Sequence, residues 1–121
     1  MTHLCYIFSQ MELFILMDSA FFGRGIFGIF TSLELALKYR ENIGEIFCQW
    51  EIKRVSLIGE RPKEGLVYAA YIYHELYDCY TFDGVYASED YAKDAVGEKG
   101  MIVEFRIDVP HHKRLISKDP N

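Results

Sequence analysis

The chain repeats itself. A shift of 56 residues lays Gly28-Ile29-Phe30-Thr31-Ser32 on Gly84-Val85-Tyr86-Ala87-Ser88, then Glu34 on Asp90, Ala36 on Ala92, Gly44 on Gly100 and Ile46 on Ile102. Five of these pairs are identities and their neighbours are conservative, the signature of an internal repeat. One residue less of shift aligns Trp50 with Phe105 and Ile52 with Ile107 in the segment that follows. Copy one then spans about 11–57 and copy two about 67–109. The Gly59-to-Gly65 region supplies a linker at 58–66, and 110–121 forms a polar tail. At 121 residues the two copies have to share one domain.

Each copy reads as strand, strand, helix, strand. Leu13 to Met17 and Ala69 to Tyr73, rich in branched and aromatic residues, open the copies. A hairpin follows, through Gly23-Arg24-Gly25 in copy one and through the polar 75–83 region in copy two, and the second strands end at Phe30 and Tyr86. Thr31 with Glu34 three residues on has capping-box spacing, and Ser88 followed by Glu89 and Asp90 marks the second helix start. Leu35, Ala36, Tyr39 and Ile43 in one helix, and Tyr91, Ala92, Ala95 and Val96 in the other, recur at helical spacing, with Gly44 and Gly97 or Gly100 as stops.

The closing strands alternate. Ile46, Cys48, Trp50 and Ile52 oppose Gln49, Glu51 and Lys53, while Val103, Phe105, Ile107 and Val109 oppose Glu104, Arg106 and Asp108. Val55 and Leu57 break phase, which predicts a bulge near Lys53 and Arg54. The expected fold is α+β: two tandem ββαβ repeats packed on each other with pseudo-twofold symmetry. Residues 1–10 add a short edge strand, or translation begins at Met11. Open sheet edges and a high apolar content also predict a homo-oligomer.

Composition narrows function. Thirteen Lys and Arg against eighteen Asp and Glu give a net charge of −5, which argues against general nucleic-acid binding. Cys5, Cys48 and Cys79 are widely spaced and form no C-x-x-C pair, so a reducing cytoplasm fits better than a disulfide scaffold. Glu12 and Asp18 interrupt the apolar N-terminal stretch, so neither a signal peptide nor a membrane anchor is expected.

Gly23-x-Gly25-x-x-Gly28 has the form of a dinucleotide fingerprint but runs into a second strand before any helix, so a hairpin turn explains it. Cys79 and His74 lie close enough in sequence to suggest a small hydrolase, without a third orienting residue. Glu75, Asp78, Asp83, Glu89 and Asp90 lack calcium-loop spacing, and His111-His112 read as tail; no metal and no cofactor are expected. Seven tyrosines crowd residues 68–91. Of these Tyr71, Tyr73, Tyr77 and Tyr80, with Arg106, are the expected binding face, because the aligned Ile15, Met17, Phe21 and Arg24 carry no phenol hydroxyl.

The segments Gly28-Ile29-Phe30-Thr31-Ser32-Leu33-Glu34 and Gly84-Val85-Tyr86-Ala87-Ser88-Glu89-Asp90 resemble the G-V-[FY]-x-S-x-E-x-A strand-to-helix motif of small bacterial and bacteriophage domains. The small, acidic, aromatic-rich chain is also similar in kind to phage accessory proteins that neutralise a host component. That resemblance implies a non-enzymatic protein that blocks a host protein in the host cytoplasm. The alternative is capture of a small nucleotide-like ligand between aromatic rings and arginines, and a second alternative is the Cys79/His74 hydrolase.

Overall fold

The computed structural model describes residues 11–18, 25–43, 50–60, 62–110 and 113–117. The first half contributes β1 (Glu12–Asp18), β2 (Gly25–Phe30), α1 (Leu33–Ile43) and β3 (Trp50–Ser56). The second contributes β4 (Leu66–His74), β5 (Cys79–Tyr86), α2 (Glu89–Val96), β6 (Met101–Arg106) and β7 (Lys113–Ser117). The protein is α+β, with antiparallel sheets ordered β2-β1-β3 and β5-β4-β6-β7.

Each sheet buries both faces. Leu13, Ile15, Met17, Ile26, Ile29 and Leu57 from the first half meet Val67, Ala69, Tyr71, Val85 and Phe105 from the second in the central core. On the outer faces, Leu16 and Phe30 lie under Ala36 of α1, and Ala70, Tyr86 and Ile102 lie under Ala92 of α2. Alanine at both helix contacts lets the backbone approach the sheet closely. The layers therefore run helix, sheet, sheet, helix.

The chain leaving each third strand crosses to the other sheet. Leu57 N–H donates to Met11 C=O at 2.8 Å, then Ile58 N–H donates to Val85 C=O at 2.9 Å. In the second half Ile107 N–H donates to Gly65 C=O at 2.8 Å, then Asp108 N–H donates to Ile29 C=O at 2.9 Å. Ile58 C=O accepts from Ala87 N–H at 2.9 Å, whereas the Asp108 carboxylate accepts from both Thr31 N–H and Thr31 Oγ1–H at 2.8 Å.

Several expectations shift. Thr31 is occupied by Asp108, so the cap of α1 is Ser32, whose Oγ accepts from Leu35 N–H at 3.1 Å; Ser88 Oγ does the same for Tyr91 N–H at 3.2 Å. β3 has no bulge: its register with β1 is unbroken from Ser56 to Trp50. Val55 seemed out of phase only because both faces of the sheet are buried, Ile52 under α1 and Val55 toward the central core. The bulges lie between the first two strands of each half, at Leu16/Met17 and Ala70/Tyr71.

Strand pairing sets Val55 at the place of Phe105 and Trp50 at that of Gly100, not Phe105, because α1 and its following loop are six residues longer than their counterparts. Glu104 is buried beneath α2 and accepts from Tyr68 Oη–H at 3.4 Å, while Tyr91 and Ala95 are exposed and leave Ala92 and Val96 as the packed positions. Part of the expected tail is a strand, since β7 satisfies the outer edge of β6. Residues 1–10, Phe21, Gly23, Arg24, Gly44, Ile46, Cys48, Gln49, His111 and His112 lie outside the described residues.

Candidate binding surface

The β4–β5 hairpin carries the tyrosine-rich stretch. Its turn occupies only residues 75–78, shorter than the polar 75–83 loop expected, because Cys79, Tyr80, Thr81 and Phe82 have side chains that suit a strand. Tyr77 N–H closes the turn on His74 C=O at 3.2 Å, and Asp78 takes a left-handed φ of 49°, a conformation Asp tolerates better than most residues. Leu76 and Tyr77 stand at the tip, 91% and 78% exposed.

The flanks of the tip are fastened. Tyr73 Oη–H donates to Asp78 Oδ1 at 2.6 Å and its ring packs on Tyr80 with centroids 5.1 Å apart. His74 Nε2 lies 2.6 Å from Thr81 Oγ1, and Lys99, in the loop after α2, pairs with Glu75. The Asp78 hydrogen bond first, then partial burial, pushes the Tyr73 phenol up to about 12, and the Lys99 ammonium holds the Glu75 carboxyl below its usual range. The hairpin thus presents two apolar side chains from a braced turn.

The expected binding residues separate into three places. Tyr71, 1% exposed, belongs to the central core and packs edge-on against Phe82; it takes the register position of Met17, not Ile15. Tyr73, Tyr77 and Tyr80 share the hairpin end. Arg106 pairs with Leu66 at the opposite end of β4, seven residues from Tyr73 or about 23 Å of strand, and its guanidinium donates to Glu64 C=O at 2.8 Å. The structure therefore does not bring Arg106 to the tyrosines. Leu76, which no sequence reading singled out, is the most exposed large apolar side chain among the described residues.

His74 and Cys79 are directly opposite each other on the hairpin, and the contact the imidazole makes is with Thr81. The acidic residues take separate partners: Asp78 holds Tyr73, Asp83 accepts from Tyr86 Oη–H at 2.6 Å, and Glu89 pairs with Lys93 at 2.8 Å. Burial first, then the Asp83 hydrogen bond, pushes Tyr86 up to about 12, while Glu89 raises Lys93. Among the described residues no three His, Cys, Asp or Glu side chains gather as a metal site would require, and no helix is long and apolar enough to cross a membrane. Comparison with protein-family models, with curated proteins and with solved structures returns no match.

Proposed function

We propose that the chain is a tandem duplication of a ββαβ unit, related by a pseudo-twofold axis, whose second copy has become the docking surface of a non-enzymatic binding protein. Three features support the duplication: the reciprocal Ile58–Val85 and Asp108–Ile29 bonds, the matched bulges and the matched serine caps. A fourth is shared by the two G-[IV]-[FY] segments. The ring two residues after the glycine lies over it, so a Cβ would meet Phe30 Cζ at 2.9 Å from Gly28 and Tyr86 Cε1 at 3.7 Å from Gly84.

The observation that carries the function is the hairpin tip. Leu76 and Tyr77 are almost wholly exposed, yet the turn that presents them is held on both sides. An exposed leucine and tyrosine contribute little to this fold, and a braced turn loses little conformational freedom when they enter a pocket. Residues 66–110 carry nine Asp and Glu against three Lys and Arg, so the partner is a protein with an apolar pocket set in a basic surface. In a phage accessory setting that partner is a host protein whose basic site the second copy covers.

Affinity purification with matched variants tests this. Leu76→Ser and Tyr77→Ser should each leave the thermal midpoint within about 2 °C, since surface changes away from packed features cost ~0.5 kcal/mol or less, and should lose the captured protein. Leu33→Ser, at a 48% exposed position on α1, should retain it. Capture unaffected by both tip variants would overturn the assignment.

A further inference from the structure

Beyond the hairpin tip, one sheet edge stands out. The third strand of the second sheet, β6, is flanked by β7, which pairs with Ile102 to Phe105. The third strand of the first sheet, β3, ends its sheet, and no strand lies beside it among the described residues. Strand pairing gives Ile52 to Val55 the places of Ile102 to Phe105, the very stretch β7 covers. A strand is therefore accommodated at this position of the architecture.

The backbone of β3 is ready to receive one. Leu57 bonds directly across to Met11, so by alternation Glu51, Lys53 and Val55 spend their N–H and C=O groups on β1. Trp50, Ile52 and Arg54 turn theirs outward. Ile58 is in phase with these and uses its own outward groups on Val85 and Ala87, which shows where that edge points.

We infer that β3 pairs antiparallel with β3 of a second copy, about a twofold axis at Ile52. In this register Ile52 meets Ile52, Trp50 meets Arg54, and Glu51 meets Lys53 twice over. The backbone pairs Trp50–Arg54 and Ile52–Ile52 exchange both hydrogen bonds. Neighbouring registers are worse: centring on Lys53 sets lysine against lysine, centring on Glu51 sets glutamate against glutamate, and centring on Arg54 sets arginine against arginine. Like charges directly opposite are destabilising, and opposite charges there are favourable. Of the registers centred on residues 51 to 54, this alone sets opposite charges face to face, the self-complementarity an isologous interface requires. Lys53 Nζ, 5.5 Å from the Phe82 ring centroid in the isolated chain, stays on the same face and within reach of Glu51 of the second copy.

Sedimentation velocity on the full chain from about 1 to about 100 μM tests the pairing, with thermal midpoints recorded for every variant. The wild-type chain should dimerise within this range. Glu51→Lys and Lys53→Glu should each weaken the dimer by at least about tenfold, because each turns two attractive cross-strand pairs into repulsive ones. The double swap, and an equimolar mixture of the two single variants, should restore it. A strictly monomeric wild-type chain would overturn the pairing whether or not any variant folds. So would single variants that dimerise as wild type does, or a folded double swap that remains monomeric.

Discussion

Two phenols report how tightly the second half holds its hydroxyls. Tyr73 and Tyr86 each donate to a carboxylate at 2.6 Å, and both are raised from 10.0 to about 12. A phenol whose folded value is raised keeps its proton where the unfolded chain has lost it. Its stabilising contribution is therefore complete below pH 10 and disappears between about 10 and 12. Tyr73 and Tyr86 should therefore titrate late in the absorbance of the folded chain. Asp78→Asn, which keeps the left-handed preference at φ 49°, should bring the Tyr73 transition back toward 10 and leave that of Tyr86 in place. The glycines make a second test. A methyl on Gly28 would press on Phe30, which is fully buried, whereas one on Gly84 meets Ile58 Cδ1 at 3.3 Å, the free end of a 44% exposed side chain. Gly28→Ala should cost about 1–3 kcal/mol in urea unfolding and Gly84→Ala clearly less.

At the scale of elements, the strands and helices were legible wherever one periodicity dominated. Branched and aromatic runs marked β1 and β4, and Ser88 with its following acids marked α2, whereas the first half of β5 read as a polar loop. Other positions depended on partners far along the chain. Thr31, three residues before Glu34, reads as the cap by sequence, and the role falls to Ser32 because Asp108, 77 residues later, takes Thr31. Tyr71 looked available because alternation cannot tell which face of a doubly covered sheet is the inner one. Arg106 looked close to the tyrosines because sequence order hides that it lies at the far end of β4. The Asp108 clamp, which fastens the end of β6 to the end of β2, gives a quantitative expectation. Asp108→Asn preserves the turn at φ 65° but weakens both bonds to Thr31, and should cost about 1 kcal/mol in urea unfolding. Asp108→Ala should cost about 1–2 kcal/mol more, from backbone strain at positive φ. Equal costs for the two variants would rule out the backbone-strain contribution at this positive φ.

For the whole molecule, each half extends past its own sheet to bond the other, and the core lies between them. This mutual support frees the second hairpin to carry side chains that serve neither core. Its tip is the one place where a large leucine and a tyrosine adjoin in sequence and both exceed three-quarters exposure among the described residues. Residues outside the described segments play no part in this assignment. The central claim is that the tip meets a partner protein, and the most direct measurement is site-specific photo-crosslinking in extract of the cells where the protein acts. A photoreactive phenylalanine derivative replaces Tyr77 in one variant and Leu33 in another. The account predicts one discrete adduct with a second protein from position 77 and none from position 33, with the adduct from 77 abolished by adding Leu76→Ser. No adduct from 77, or the same adduct from 33, would contradict it.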